Sequence, residues 1–337
     1  MEDVVYRSLG SPSKNLKAGP RRGLDNAILS AGRGRVMVIT VDPISAIPAF
    51  GTKLSARLSV HLIASDYTSA GVDPQFATFA YNFPAEMNLG ERAQFVRNVG
   101  SECGKLGVSI VGGHTGSYPG GGYTVIGAGS MFGFVKEGGY VTPAMAKPGN
   151  AIMITKHAAI EAAGSLALCF PEFVENKLGP SLTKKARRMI RLCSTVEDSR
   201  RARTVGLGRG GITSMHDATE GGVLGALEEM SAASGTRFEV EPEEIPVSAE
   251  ASGVCAAFGL DPLRTMGEGA LLVTCDQGVA GELDRRMYRE GLPITLIGKV
   301  VAGSGLVVRK AGTARRFRPS PDRYWQAYDE AVRHRLH

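Results

Sequence analysis

In residues 1–140, short apolar runs alternate with segments whose apolar side chains recur at helical spacing. Runs of the first kind predict buried strands, and segments of the second kind predict amphipathic helices. The pattern predicts helices over 54–63 and 92–106, and strands over 36–42, 75–83, 108–111 and 123–134, the last one dotted with glycines. Strands and helices therefore follow one another in mixed order in this half of the chain.

The second half opens after residues 141–150, where two prolines and a glycine interrupt the pattern. Such punctuation predicts a domain boundary, and we divide the chain into residues 1–145 and 146–337. Beyond the boundary, the pattern predicts helices over 160–169, 182–190, 224–230 and 281–289, and strands over 151–155, 212–216 and 294–298 and near Phe238 and Leu271. This order lacks the strict alternation of a doubly wound parallel sheet, so it indicates an α+β fold.

Composition narrows the class of protein. A chain of 337 residues exceeds one typical core, and 43% hydrophobic with 21% charged residues is typical of a soluble globular protein. The sequence has no run of 18 apolar residues, and its acidic start lacks the apolar core of a signal peptide. Five cysteines without a CxxC pair indicate reduced core thiols rather than a nucleophile. We therefore expect a two-domain cytoplasmic protein without membrane contact.

Basic residues concentrate in three stretches, at 184–188, 200–203 and 309–335, and the net charge is +6. Such stretches can hold nucleic acid, but no aromatic platform is interleaved with them, and the chain has one tryptophan, Trp325. We favour solvated helix faces over a nucleic-acid interface. Phosphorylated small molecules are compatible with the same charge.

Residues 206–211 (Gly-Leu-Gly-Arg-Gly-Gly) match the GxGxxG pattern of dinucleotide-binding turns. That pattern acts only between a strand and a helix, where the helix N-terminus meets the phosphates. Here a predicted basic helix precedes it and a predicted strand follows. We therefore predict an ordinary loop.

The most informative stretch is residues 216–230, which begin His-Asp-Ala-Thr-Glu-Gly-Gly and continue as an amphipathic helix. Thr219 is placed to cap that helix, and Glu220 falls in its first turn, where a carboxylate suits the helix dipole. Gly221 and Gly222 leave backbone N–H groups open to an anion such as a phosphate. An ordinary capped helix is the alternative, and for this segment alone it is the preferred interpretation.

Three aspartates of the N-terminal half, Asp25, Asp42 and Asp66, each lie at a turn or at the end of a predicted element. Separated carboxylates that a fold brings together can hold Mg²⁺ against nucleotide phosphates. For any single aspartate, a turn cap is the simpler explanation. For three in this order, with a predicted turn at residues 112–115 (Gly-Gly-His-Thr) behind them, we predict a metal–phosphate site.

In the order of its motifs the chain resembles the AIR synthase (PurM-like) superfamily, and its second half is most similar to the hydrogenase maturation protein HypE. The likeness rests on residues 40–42 (Thr-Val-Asp), 65–66 (Ser-Asp), 71–74 (Gly-Val-Asp-Pro), 112–115, 216–230, 245–247 (Ile-Pro-Val), 259–263 (Gly-Leu-Asp-Pro-Leu) and 268–269 (Glu-Gly). It implies a PurM-like fold, with an N-terminal domain that forms a shared β-barrel in a homodimer and a C-terminal α+β sandwich.

The same resemblance implies an enzyme that uses ATP and Mg²⁺ to phosphorylate, and so activate, an amide-type or similar oxygen of a small-molecule or protein-bound acceptor. It implies Glu268 and Asp217 as catalytic residues, and Asp25, Asp42 and Asp66 as metal ligands. The residues it implies for ATP binding are Asn26, Arg57, Gly112, Gly113, His114, Thr115, Thr219, Gly221 and Gly222. By itself, a carboxylate between two glycines is more often an exposed surface group, but the HypE-like context of Glu268 favours a general base.

Two departures set the chain apart from HypE. HypE ends in a cysteine that carries a carbamoyl group, whereas this sequence ends in Arg-Leu-His, so we expect no carbamoyl transfer to this chain. His114 stands where HypE has an acidic residue, and histidine is a poor Mg²⁺ ligand but an adequate phosphate donor. The alternative function is therefore a nucleotide-binding regulatory or scaffold protein that has lost turnover.

Overall fold

The computed structural model describes residues 2–334 and 336, and it contains two β-sheets with helices packed against them. Elements up to residue 136 build the first sheet and its helices. They are α1 (Glu2–Arg7), β1 (Leu16–Ala18), β2 (Ala27–Gly32), β3 (Arg35–Ser45), α2 (Gly51–Thr68), β4 (Phe76–Pro84), α3 (Leu89–Leu106), β5 (Ser109–Tyr118) and β6 (Val125–Lys136).

The first sheet is covered on one face only. Its strand order is β1-β2-β3-β6-β4-β5, with β4 and β5 parallel and the other neighbours antiparallel. Helices α2 and α3 pack on the face where Val36, Val38 and Phe79 are buried. On the opposite face Val41 is 67% exposed. The edge strand β5 is exposed along nearly its whole length.

Elements from residue 150 onward build the second sheet and its helices. They are β7 (Asn150–Thr155), α4 (Ile160–Cys169), α5 (Pro171–Met189), α6 (Val196–Ala202), β8 (Ile212–Asp217), α7 (Gly222–Ser234), β9 (Arg237–Val240), α8 (Ala249–Ala257), β10 (Leu271–Asp276), α9 (Gln277–Arg289), β11 (Ile294–Val301), β12 (Gly305–Lys310), β13 (Thr313–Arg316) and α10 (Tyr324–Arg333). The strand order is β13-β12-β9-β11-β7-β10-β8, and only the pair β9–β12 is parallel within this sheet.

The second sheet is covered on both faces. Ile152 and Leu272 pack in one core with α4, α5, α7 and α8, whereas Met153 and Val273 pack in another with α6 and α9. Every residue of β7 and of β8 is buried. Two sheets with helices in mixed order confirm the predicted α+β fold.

Two local predictions are wrong. Residues 112–115 do not form a turn, because β5 continues through them in parallel register with β4, and His114 pairs with Ala80. Thr219 does not cap the next helix, because α7 begins at Gly222 and its cap is Gly221. Gly221 has a φ of 78°, a left-handed conformation that glycine adopts without steric cost.

The basic stretch at the end of α6 and the glycine-rich stretch before β8 both make contacts within the protein. Residues 206–211 form a loop, as the sequence predicts, in which the Gly208 N–H donates to the Ile212 carbonyl at 2.7 Å. The stretch at 200–203 is not a freely solvated face, because Arg200 and Arg203 both pair with Asp73. Among the helices between residues 2 and 334, none has both the length and the apolar character needed to cross a membrane.

Candidate active site

A cavity of about 550 Å³ is lined by both halves of the chain, and carboxylates dominate its polar surface. Those of the first half are Asp25, Asp42 and Asp66, and those of the second half are Glu161, Glu220 and Glu268. Apolar side chains line another part of the cavity, including those of Phe50, Leu58, Met266 and Trp325. No lysine or arginine is among the described residues that line it.

Asp25, Asp42 and Asp66 form what we call the N-terminal wall. Asp42 lies near the end of β3, Asp66 in the last turn of α2, and Asp25 in the loop before β2. Asn26 ties that loop to α2, because its Nδ2 donates to the Asp66 carbonyl at 2.7 Å and to Ser69 Oγ at 3.2 Å. The three predicted metal ligands are therefore brought to one cavity, and each is half-buried.

Glu161 and Glu268 line the cavity, and a ligand atom of Asp217 lies within 4.8 Å of one of Asp25; we call these three residues the C-terminal wall. Glu161 lies in the first turn of α4, Asp217 ends β8, and Glu268 lies just before β10. Glu268 is only 7% exposed, so it is not an exposed turn residue. A Cβ on Gly269 would lie 2.6 Å from the Leu192 carbonyl oxygen, so only glycine permits this close backbone packing beside Glu268.

Four carboxylate oxygens of the C-terminal wall are buried without a hydrogen-bond partner among the described residues. They are both carboxylate oxygens of Asp217, Oε2 of Glu161 and Oε2 of Glu268. Burial and the neighbouring Asp25 carboxylate raise the pKa of Asp217 to about 7. Burial, with Glu220 and Asp42, raises the pKa of Glu161 to about 8. The pKa of Glu268 lies well above its ordinary value for the same reasons, burial and nearby carboxylates.

The N-terminal wall is perturbed in the same direction. Burial, with Glu220 and Asp25, raises the pKa of Asp42 to about 7. Burial, with Asp217 and Asp25, raises the pKa of Asp66 well above its ordinary value. Mutual repulsion between buried carboxylates is relieved by a proton or by a cation. The cavity is therefore built to attract positive charge.

His216, next to Asp217 on β8, holds the N-terminal wall against the second domain. Its Nδ1 lies 2.7 Å from Asp25 Oδ2 and its Nε2 lies 3.2 Å from Glu229 Oε2. Burial lowers the pKa of the imidazole, but Asp25 and Glu229 outweigh burial and hold it well above its ordinary value. A protonated His216 donates to both carboxylates at once.

The donor set fits Mg²⁺. Ligand atoms of Asp25, His216 and Asp217 lie within 4.8 Å of one another, and the carboxylates of Asp42 and Asp66 face the same cavity. Mg²⁺ prefers hard oxygen ligands, and the free Asp217 oxygens are of that kind. His216 is the poorer ligand of the cluster, because both of its ring nitrogens already contact carboxylates.

The N-terminus of α7 is already occupied by an anion of the chain itself. The Gly221 N–H donates to Asp322 Oδ2 at 3.0 Å, and the Gly222 N–H donates to the Thr219 carbonyl at 3.1 Å. Asp322 Oδ1 also accepts from Thr265 Oγ1 at 3.1 Å. The two glycine N–H groups are therefore not open to an ATP phosphate here, whereas Thr219 does line the cavity.

The other predicted ATP contacts lie away from the cavity. Gly112, Gly113, His114 and Thr115 are on the exposed edge strand β5, and His114 Nε2 lies 2.7 Å from the Tyr118 hydroxyl. Arg57 is on α2, but its Nη2 donates to the Arg191 carbonyl at 3.2 Å. Their roles in ATP binding stay predictions. Asn26 Oδ1 is buried without a partner in the described chain, which leaves one acceptor free beside Asp66.

The sequence does not reveal four contributors to this site. They are Glu161, Glu220 and Trp325, which line the cavity, and His216, which contacts Asp25. Glu161 had a local signal, because it is a single carboxylate at the start of an otherwise apolar helix. Trp325 had none, since its position in the cavity depends on the packing of α10 against α4. The Tyr324 hydroxyl lies 2.7 Å from Ser165 Oγ and fixes that packing.

Two family models match consecutive parts of the chain. The model described as AIR synthase related protein, N-terminal domain, matches residues 23–135. The model described as AIR synthase related protein, C-terminal domain, matches residues 147–311. Together they cover most of both sheets and every carboxylate of the two walls, and they leave out β1 and β13.

Similar proteins agree with these matches. Carbamoyl dehydratase HypE of Rhizobium leguminosarum bv. viciae is 27% identical over 301 residues, which is 86% of this chain and 80% of that protein. The crystal structure of a HypE–HypF complex superposes with a TM-score of 0.73 at 22% identity, covering 95% of this chain and 99% of that one. A ThiL structure complexed with AMPPCP and TMP superposes with a TM-score of 0.71 at 18% identity, covering 95% and 94%. Fold, motifs and matched domains lead to one conclusion: the chain belongs to the AIR synthase-related family.

Proposed function

We propose that this protein is an ATP-dependent enzyme that phosphorylates an oxygen of an acceptor and thereby activates it. The observation that carries the proposal is the carboxylate cavity: among the described residues, no lysine or arginine lines it, and buried carboxylate oxygens of Glu161, Asp217 and Glu268 lack a hydrogen-bond partner. Structural relatives support a nucleotide there, since one is a HypE in complex with ATP, with a TM-score of 0.69 at 19% identity over 94% of this chain and 91% of that one. The acceptor is an amide-type or similar oxygen on a small molecule or a protein.

The N-terminal wall would hold Mg²⁺ through Asp25, Asp42 and Asp66, with Asp217 behind it. Bound there, Mg²⁺ supplies positive charge to the phosphate oxygens of ATP. His216 keeps Asp25 oriented by donating to Oδ2. Asn26 fixes the loop that carries Asp25 against α2.

Glu268 is proposed as the general base. As the acceptor oxygen attacks the γ-phosphorus, the Glu268 carboxylate takes the acceptor's proton, from the N–H of an amide or from the O–H of a hydroxyl, the bond between the γ-phosphorus and the bridging oxygen breaks, and ADP leaves. The raised pKa of Glu268 follows from burial and from Asp217 and Glu161. A cation in the cavity lowers that pKa by opposing the same repulsion, so loading the site favours the carboxylate form that accepts the proton.

The alternative is a nucleotide-binding scaffold that has lost turnover. The absence of an acid at His114 favours the scaffold, whereas retention of Asp42, Asp66, Asp217 and Glu268 favours the enzyme. The decisive experiment measures ADP release from Mg²⁺–ATP across a panel of carboxylate, amide and hydroxyl acceptors. Turnover with any acceptor supports the enzyme; Mg²⁺–ATP binding without turnover across the panel supports the scaffold.

We also propose a homodimer closed through the first sheet. Its second face leaves Val41 67% exposed, and edge strand β5 presents Ile110 and Val111 at 45% and 55% exposure. An open sheet edge with apolar side chains is a ready template for a second strand, and a shared barrel would remove it. Light scattering should give the dimer mass at micromolar concentration, and a monomer at that concentration would rule this assembly out.

A further inference from the structure

A second concave site of about 520 Å³ is lined by α5, by the end of α4 and by the start of α2. Its charged lining is Lys184, Arg187, Arg188 and Arg191, with Glu175 as its one carboxylate among the described residues. We call it the basic pocket. Leu54, which lines the basic pocket, is one helical turn from Leu58, which lines the carboxylate cavity.

The four cations of the basic pocket have no ion-pair partner within residues 2–334. Nearby basic residues differ in this respect. Lys185, next to Lys184 on α5, lies 3.8 Å from Glu250, and Arg200 pairs with Asp73 at 2.7 Å. The basic stretch at 200–203 is thus neutralised within the protein, whereas Lys184, Arg187 and Arg188 of the stretch at 184–188 keep an excess of positive charge on a concave surface.

The pocket is held in shape by the surrounding backbone. Helix α5 is kinked at Gly179, which has a φ of 77°, and the Thr183 hydroxyl donates to the Gly179 carbonyl at 2.8 Å across the kink. Arg57 Nη2 donates to the Arg191 carbonyl and so anchors the short turn after α5. The apolar part of the lining is Leu54, Leu168 and Ile190, and Ile190 is 2% exposed.

We propose that the basic pocket binds a phosphorylated small molecule with an apolar body, at a site separate from the carboxylate cavity. Guanidinium groups recognise phosphate oxygens with paired hydrogen bonds, and three arginines and a lysine meet here. A volume of about 520 Å³ is that of a site for a nucleotide-sized ligand. A duplex would need cations along a stripe, but the neighbouring run at 200–203 is already paired. This inference does not depend on the proposed function.

The test uses the absence of metal to separate the two sites. Without metal the carboxylate cavity offers a phosphate no positive charge, because no lysine or arginine is among the described residues that line it, whereas the basic pocket needs no metal. Titration calorimetry of the full chain in EDTA with inorganic pyrophosphate and with ADP should therefore show binding to one site. Affinity should fall as salt rises, and ADP should bind more tightly than pyrophosphate if its base packs on the apolar lining.

Variants locate the bound anion. Arg187→Ala/Arg188→Ala should weaken ADP binding in EDTA by about tenfold or more, and Lys184→Ala should weaken it less. Lys185→Ala is the matched control. It removes the same charge as Lys184→Ala at the next residue, whose side chain does not line the pocket. It should leave the affinity for ADP unchanged. Melting temperatures of all variants establish that they fold. No measurable heat with folded wild type, equal loss in Lys185→Ala, or tighter binding of duplex DNA or of a polyglutamate peptide than of ADP would each overturn the proposal.

Discussion

The two walls of the cavity carry three carboxylates each but hold them differently. On the N-terminal wall the carboxylates are half-buried, and Asp25 Oδ2 accepts from His216 and, at 3.4 Å, from Ser69 Oγ. On the C-terminal wall Asp217 and Glu268 are buried and keep oxygens without partners in the described chain. Half-buried carboxylates leave room for the waters that Mg²⁺ retains, whereas the buried oxygens without partners are free to accept a proton from a bound acceptor. We therefore expect metal binding from the first wall and proton transfer from the second.

We expect the largest loss of turnover from a substitution in the C-terminal wall alone. Glu268→Gln keeps the size of the side chain but removes the carboxylate that would accept the acceptor proton. Turnover should fall by roughly 10²–10⁴, as for other general bases, while Mg²⁺–ATP affinity stays near wild type. Steady-state ADP release and calorimetry on the same preparation measure the two quantities.

The control for Glu268→Gln is Glu172→Gln, which makes the same chemical change on the exposed side of α5. It should leave both turnover and affinity unchanged. Full activity in Glu268→Gln would remove Glu268 from the mechanism. A large loss of Mg²⁺–ATP affinity in that variant would contradict the assignment of metal binding to the N-terminal wall and of proton transfer to the C-terminal wall.

A substitution in the N-terminal wall should have a smaller effect, on nucleotide affinity. Asp66→Asn preserves shape and removes one charge from the predicted metal ligands, so Mg²⁺-dependent nucleotide affinity should fall by about tenfold or more. Binding measured in EDTA should not change, because that binding does not use the metal. Unchanged affinity with Mg²⁺ present would show that Asp66 acts only in the turn at the end of α2.

The pH dependence of stability should sharpen the comparison further. The unfolded chain releases protons from Asp and Glu near 3.8 and 4.5, whereas the folded, metal-free protein keeps them on Asp42 and Asp217 up to about 7 and on Glu161 up to about 8. Because the folded state binds more protons in this window, stability should fall as pH rises from about 5 to about 8. Millimolar Mg²⁺ should raise the melting temperature most at the upper end of the window.

Glu161→Gln offers a direct check of that pH dependence. The variant removes the group with the highest of the three pKa values, so its metal-free melting temperature should exceed that of wild type by a few degrees near pH 8 and differ little near pH 5. Differential scanning calorimetry across the range measures this. A rise in wild-type stability with pH in EDTA would contradict the assignment of raised pKa values to the cavity.

The smallest expected effect is an absence of modification. Burial raises the pKa of the thiols of Cys103 and Cys255 to about 12 and of Cys169 and Cys275 to about 11, and it raises that of Cys193 well above its ordinary value. Thiols held protonated are poor nucleophiles. Mass spectrometry after incubation with ATP and a carbamoyl donor should find no cyano or carbamoyl adduct on any of them, and an ATP-dependent adduct would contradict this.

Much of the fold could be predicted because hydrophobic periodicity is local. The helix predicted over 160–169 matches α4, and the long strands β3, β4 and β6 fall where apolar runs predict them. The sequence predicts a strand only over 108–111, because the glycine-rich half of β5 resembles a turn. That half is a strand because it pairs with β4. Pairing between distant segments leaves no periodic signal in either segment.

The candidate site divides in the same way. Asp25, Asp42 and Asp66 could be proposed from their positions at element ends and from the resemblance. The anion that meets Gly221 could not, because Asp322 comes from 101 residues further along the chain. A sequence can indicate that a helix N-terminus will meet an anion, but it does not say whether that anion belongs to a ligand or to the protein.

Trp325 has a consequence for how the protein can be studied. It is the one tryptophan of the chain, it lines the carboxylate cavity, and it remains 46% exposed. Its indole emission therefore originates from a single position, and a ligand in the cavity changes the polarity and charge around that position. Fluorescence of the unlabelled protein thus provides a direct optical signal for occupancy of the cavity, and the basic pocket contributes no tryptophan to that signal.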